Sequence, residues 1–125
     1  MRQVFKTTSF NRWMRKSELT DSQLCSAVKE MEQGLIDAHL GGGIVKKRIA
    51  IAGRGKSGGV RTLVATNYKH RWFFVFGFEK NDRANISDNE LEALQNIATD
   101  LLALESTQLD AAVAHEKLLE ICHEH

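Results

Sequence analysis

Gly59-Val-Arg-Thr-Leu-Val-Ala-Thr-Asn67 and Arg71-Trp-Phe-Phe-Val-Phe-Gly-Phe78 decide the fold class of this chain. The first run is rich in β-branched residues and the second in aromatics, compositions that suit a pleated, packed surface. Between them Asn67 to His70 is polar and short enough for a hairpin connection. Upstream, Ile44 to Ala52 alternates imperfectly and supplies a third strand, while Val4 to Thr7 supplies an N-terminal edge strand. A central strand buries both faces, so Phe73, Phe74, Phe76 and Phe78 read as core rather than as groups that stack on bases.

Helices flank these strands, and two of their starts are written clearly. Thr20-Asp-Ser-Gln23 is a capping box with Leu19 and Leu24 as its hydrophobic staple. Leu24, Val28 and Met31 continue it as an apolar stripe, which Gly34 ends. Ser87-Asp-Asn-Glu90 repeats the device with Ile86 and Leu91, and its stripe of Leu94, Ile97, Ala98, Leu101 and Leu102 carries a helix to about Glu105. A shorter helix falls at Phe10 to Lys16, with Phe10, Trp13 and Met14 on one face. After Ser106, Leu109 to His115 reads as helical and Leu118 to Cys122 as a short closing strand. The expected architecture is α+β: a small antiparallel β-sheet packed on one side against N-terminal helices, with a C-terminal capped helix. One domain spans residues 1–125, with a core of about 1–105 and an acidic extension over 106–125.

With 42% hydrophobic and 26% charged residues, the 125-residue chain can bury a core and is not a disordered tail. No apolar run approaches the ~20 residues of a membrane span, and the N-terminus has no apolar signal-peptide stretch. Cys25 and Cys122 are too few and too far apart to suggest a disulfide framework, which points to a reducing cytoplasm. The net charge of +1 conceals a strong asymmetry. Residues 1–85 hold 16 basic and 7 acidic side chains, a formal +9, whereas 86–125 hold 1 basic and 9 acidic, a formal −8. Between Asp37 and Glu79 lie 41 residues with eight Lys and Arg and no carboxylate. Cations at that density meet phosphate, because each contact releases counterions from a nucleic acid.

Three chemistries can be weighed on motif context. Ala50-Ile-Ala-Gly-Arg-Gly-Lys-Ser57 satisfies a permissive phosphate-loop pattern, but Gly58, Gly59 and a strand follow it where that mechanism needs a helix N-terminus. It reads better as a basic loop between strands. Cys122, His115, His123 and His125 match no zinc framework with a second ligand pair, and neither cysteine sits in a nucleophile motif, so no metal or cofactor is expected. The basic residues are better placed. In a strand Lys46 and Arg48 share one face while Val45, Ile49 and Ile51 take the other, with Lys47 near the strand's start or snorkelling. Arg61 follows Gly58-Gly59, and Lys80 lies just past Phe78. If the strands are neighbours, these side chains converge on one concave surface.

Val45-Lys-Lys-Arg-Ile49, Gly58-Gly-Val-Arg-Thr-Leu-Val64 and Phe76-Gly-Phe-Glu-Lys-Asn-Asp-Arg-Ala-Asn-Ile-Ser87, in this order, resemble the RelE/ParE superfamily of bacterial toxins over about residues 1 to 105. The last string is similar to a phage-and-plasmid branch of it. The resemblance implies a small sheet against N-terminal helices and, for the ribonuclease members, entry into the ribosomal A site and cleavage of mRNA there. It implies a metal-free reaction in which the 2′-hydroxyl attacks the adjacent phosphate, leaving a 2′,3′-cyclic phosphate and a 5′-hydroxyl. Arg61 carries over as the phosphate clamp, Lys46 and Arg48 as the basic strand pair, and Lys80 as the basic position after the last strand. These four are the expected catalytic residues. Lys47, Arg54, Lys56 and Arg83 are the expected further RNA- or phosphate-binding groups. Many members carry a late Tyr or His as acid or base. Here the only tyrosine, Tyr68, sits in the hairpin turn, and His70, His115, His123 and His125 are the possible substitutes. Partners implied are mRNA, the ribosome and a helix-turn-helix DNA-binding antitoxin, in the cytoplasm with no membrane role. Two other readings stay open: a ParE-type gyrase poison, and a non-catalytic nucleic-acid-binding domain.

Overall fold

The structure, a computed structural model, describes residues 2–51, 53 and 58–123. The chain runs β1 (Gln3–Thr7), α1 (Thr8–Met14), α2 (Asp21–Glu32), β2 (Ala38–Gly41), β3 (Ile44–Ile49), β4 (Val60–Thr66), β5 (Arg71–Glu79), α3 (Asp88–Leu102), α4 (Ser106–Ala114) and β6 (Leu118–Ile121). Six strands form one sheet in the order β2-β3-β4-β5-β1-β6. The α+β architecture is as the sequence implies, with the capped C-terminal helix in place.

Both capping boxes form. The Thr20 hydroxyl accepts from the Gln23 N–H while the Gln23 side chain accepts from the Thr20 N–H, and Ser87 and Glu90 do the same at α3. The Ser87 backbone N–H and then the Arg83 guanidinium hold the Glu90 carboxyl below the usual carboxylate range. Because this folded pKa is depressed, its stabilising effect is complete above the unfolded pKa and disappears as pH falls through the folded value. We expect the first turn of α3 to fray only once the pH falls below the ordinary glutamate range. Glu90→Gln, which keeps the box but not the charge, should flatten that dependence. Helical circular dichroism followed through an acid titration checks it; identical acid profiles for the two chains would refute it.

Three features of the sheet depart from the expectation. First, β1 is not an edge strand: it lies between β5, which it pairs in parallel, and β6, which it pairs antiparallel. The other pairings are antiparallel. Secondly, β2 was not anticipated. It is four residues long, and the turn that folds it back on β3 uses Gly41, Gly42 and Gly43 at φ of 82°, 62° and 83°. Any Cβ at Gly42 would also stand 2.7 Å from the Gln95 side chain on α3. Thirdly, helices cover both faces rather than one. Phe10, Met14, Leu24, Val28 and Met31 of α1 and α2 pack with Val45, Val64, Trp72 and Phe74. Leu94, Ala98 and Leu109 of α3 and α4 pack with Phe5, Ile44, Leu63 and Phe73. The cause is visible in β5: Trp72 and Phe74 point one way, Phe73 and Val75 the other, and all four are buried. A sheet apolar on both faces needs a helical layer on each.

The two cysteines, set apart in the sequence reading, are joined. Cys25 of α2 and Cys122, just past β6, form a disulfide with Cα atoms 5.6 Å apart. The pairing of β6 with β1 returns the C-terminal strand to the α2 side, where both residues pack against the same apolar cluster. Residues 106–121, read as an acidic extension, thus supply α4 and a strand that covers the outer edge of β1.

Candidate functional site

The register of β3 on β4 builds the site. Arg48 lies directly opposite Arg61, and Lys46 directly opposite Leu63. Side chains of directly opposed residues share a face, as do residues two apart, so Lys46, Arg48 and Arg61 project together. Ile44 and Leu63 on that face belong to the cluster beneath α3 and α4. Coverage ends there: α3 sits over the glycine turn, where Gln95 donates to the carbonyls of Leu40 at 3.1 Å and Gly41 at 3.2 Å. The opposite end of the same face is left open as a pocket of about 230 Å³, lined by Asp37, Lys46, Arg48 and Arg61. Lys46 and Arg61 are half-buried and Arg48 is exposed. The Arg61 Nη1 donates to the Gly59 carbonyl at 3.3 Å, which orients the guanidinium along the start of β4.

Asp37 is the residue that sequence reasoning missed. It served there only as the boundary of the acid-free stretch. In the fold its N–H donates to the Lys46 carbonyl at 3.0 Å, and its Oδ2 accepts from the Arg48 N–H at 2.6 Å. These bonds extend the β2–β3 ladder by one step, beyond the Ala38–Lys46 pair, and carry the carboxylate into the cationic pocket. The signal that could have found it is the short β2 itself, which was not recognised.

The remaining expected groups are placed differently. Lys47 points to the other face, is 7% exposed, and gives its ammonium to Glu30 Oε1 and the Leu35 carbonyl, each at 2.8 Å. Strand alternation alone puts it there. Lys80 is exposed one residue beyond β5; it follows Phe78, the direct partner of Arg61, by two positions. Arg83 makes a two-pronged contact with Glu90 at 2.6 and 2.8 Å and lies 5.7 Å from the centre of the half-buried Phe76 ring. Arg71, at the far end of β5, donates to the Leu104 carbonyl just past α3. Arg54 and Lys56, with most of the loop that resembled a phosphate loop, lie outside the described residues.

None of the described acid–base substitutes lines the pocket. Tyr68 lies past the opposite end of β4, roughly 17 Å of strand from Arg61, and bonds His39 Nδ1 at 3.1 Å. His70 sits in the same turn, its carbonyl accepting from the Gln3 N–H at 2.6 Å. His115 and His123 bond the carbonyls of Ala111 and Glu120, beside α4 and β6. The Cys122 sulfur is committed to Cys25, and among the described residues no group of three His, Cys, Asp or Glu is placed to hold a metal. His125 lies outside the described residues.

A concave pocket with three cations among the described residues, two of them planar guanidiniums in direct register, has the chemistry to take a phosphodiester: each fork can meet two oxygens, and the ammonium can meet a third. The described residues of the acidic C-terminal segment do not line it. Glu90 is engaged with Arg83, and β6 lies four strands from β3, about 19 Å at ordinary strand spacing. No helix among the described residues is long and apolar enough to cross a membrane.

Against known families, residues 1–121 match the model described as RelE toxin of RelE / RelB toxin-antitoxin system. The match extends through α4 and β6, which the motif resemblance did not reach. No curated protein matches the chain.

Proposed function

The chain belongs to the RelE toxin family and is thereby the toxin of a toxin–antitoxin pair, and on that premise we propose that it is a ribosome-dependent mRNA endoribonuclease of the cytoplasm. The observation that carries this reading is the open pocket with Arg48 and Arg61 in direct register and Lys46 beside them. In the reaction the substrate 2′-oxygen attacks the neighbouring phosphorus, the O2′–P bond forms, and the P–O5′ bond breaks. Arg61 and Arg48 hold the non-bridging oxygens, whose negative charge grows in the transition state. Lys46 supplies a proton to the departing 5′-oxygen. Lys80, on the exposed turn, meets the phosphate backbone on the same side. Growth arrest accompanied by RNA with 2′,3′-cyclic phosphate ends supports this function. Arrest with intact RNA and trapped gyrase–DNA adducts would assign the chain to gyrase poisoning instead.

The pocket also sets a binding expectation. Lys46→Ala and Arg48→Ala should each weaken RNA binding and reduce the slope of log affinity against log salt by about 0.7, one phosphate contact on a single strand. Lys47→Ala is the control, since Glu30 already holds that ammonium; its slope should stay unchanged. Equal slopes for all three variants and the parent chain would show that this face does not meet phosphate.

The antitoxin is proposed to be a co-encoded helix-turn-helix protein that sets carboxylates over Arg48, Arg61 or Lys80, or blocks access to the ribosome. Electrostatic steering of such a partner onto the formal +9 body makes capture fast.

A further inference from the structure

We infer that Asp37 is the general base of this site, taking the proton from the attacking 2′-hydroxyl; the inference rests on the endoribonuclease reading. Among the described residues Asp37 is the only carboxylate lining the pocket, and the described tyrosine and histidines lie elsewhere. A carboxylate is a costly neighbour for a phosphate, because like charges repel at short range. A pocket that only bound RNA would be better served by an amide or a hydroxyl. Nor does strand pairing require the charge: the Arg48 N–H needs one carbonyl-type oxygen, which asparagine also offers.

The placement suits proton abstraction. Oδ2 is fixed by the Arg48 N–H at 2.6 Å, and the Asp37 backbone is fixed by its own bond to the Lys46 carbonyl at 3.0 Å. The second carboxylate oxygen has no hydrogen-bond partner among the described residues, and Asp37 is part of the pocket wall. Among the described residues the groups facing Asp37 are Lys46 and Arg48 from β3 and Arg61 from β4, with the Lys47–Glu30 pair behind the sheet. A phosphate held by the two guanidiniums therefore has an acceptor and a donor beside it. The carboxylate takes the 2′-hydroxyl proton as the O2′–P bond forms; the P–O5′ bond breaks and Lys46 protonates the 5′-oxygen. Exchange of one proton with water from Asp37 to Lys46 restores both groups, so atoms and charges balance.

The test compares the full chain with Asp37→Asn and Arg61→Ala on ribosomes carrying cleavable RNA and on ribosomes carrying the same RNA with a 2′-deoxy residue at the cut. Asp37→Asn should cleave at least a hundredfold more slowly and bind the uncleavable RNA as tightly as the parent chain or more tightly, with an unchanged melting temperature. Arg61→Ala should lose both cleavage and affinity. Opposite movement of rate and affinity is what a merely structural aspartate would not produce. Parental cleavage by Asp37→Asn, with Arg61→Ala still inactive, overturns the base assignment and leaves the endoribonuclease reading standing. Loss of affinity and melting temperature along with cleavage makes Asp37 structural and also overturns it. Absence of cleavage by the parent chain on translating ribosomes removes the enclosing reading and the inference together. Asp37→Ser, which also leaves an oxygen for the Arg48 N–H, replaces the asparagine variant if that one is unfolded. A substrate with a 5′-sulfur leaving atom adds a second readout: it should rescue Lys46→Ala, whose lost proton it does not need, and fail to rescue Asp37→Asn.

Discussion

Cells expressing the Arg61→Ala chain should keep growing where the unaltered chain arrests them, with RNA cleavage about a hundredfold slower. Arg61 stands opposite Arg48 at the open end of the sheet face, outside both apolar clusters. Its removal therefore leaves the core intact and, in the proposed reaction, takes away a charged contact that strengthens as the non-bridging oxygens gain negative charge. Loss of one such contact typically costs ~3 kcal/mol in the transition state. The protein should melt at nearly the parental temperature, since half-exposed cations on a concave surface add little stability. Undiminished arrest at matched protein levels would separate this pocket from the toxic activity.

Reduction of the Cys25–Cys122 bridge, or the Cys25→Ser/Cys122→Ser double substitution, should cost about 4.7 kcal/mol on the loop-entropy relation. The two cysteines are 97 residues apart, so the cross-link closes nearly the whole chain and removes a large share of the entropy of the unfolded state. It ties β6 to α2, and β6 covers the outer edge of β1. Urea unfolding with and without reductant measures the effect; coincident midpoints would show that the bridge carries no stability. In the proposed cytoplasmic setting thiols are kept reduced, so the reduced chain must also be folded and toxic. Loss of α4 and β6 is a different matter. Leu109 and Leu118 are buried in the cluster on the α3 face, so truncating the chain after Glu105 would remove core as well as charge. Such a truncation cannot be used to ask whether the acidic segment inhibits the chain.

Local features were legible in the sequence because they are made locally. The capping boxes at Thr20 and Ser87 marked the starts of α2 and α3, and the β-branched and aromatic runs with a polar tetrapeptide between marked β4 and β5. Features that depend on long-range pairing were not. β1 inserts beside β5 in a parallel register that no nearby residue encodes, and four residues of β2 are too few for a periodicity to stand out. Both apolar faces of β5 were recognised, yet the helical layer they require on each side was not inferred. The meeting of Cys25 and Cys122 follows from β6 pairing with β1, again a contact between chain ends. At the site, strand alternation grouped Lys46 with Arg48, and the Gly58-Gly59 context marked Arg61. Asp37 escaped because charge counting weighs sign along the chain, whereas its position in the pocket comes from one step of β2–β3 pairing. Lys47 shows the same limit in reverse: it belongs to the cationic run by composition and to the opposite face by geometry.

The pocket formed by Lys46, Arg48 and Arg61 is proposed to cut mRNA on the ribosome. The most direct measurement maps RNA ends in a reconstituted translation reaction stalled at a known codon, comparing the parent chain with Arg61→Ala. New 2′,3′-cyclic phosphate ends should appear within the A-site codon for the parent chain, about a hundredfold fewer for Arg61→Ala, and none on the same RNA without ribosomes. Intact RNA with the parent chain, or equal cleavage by both chains, would contradict it.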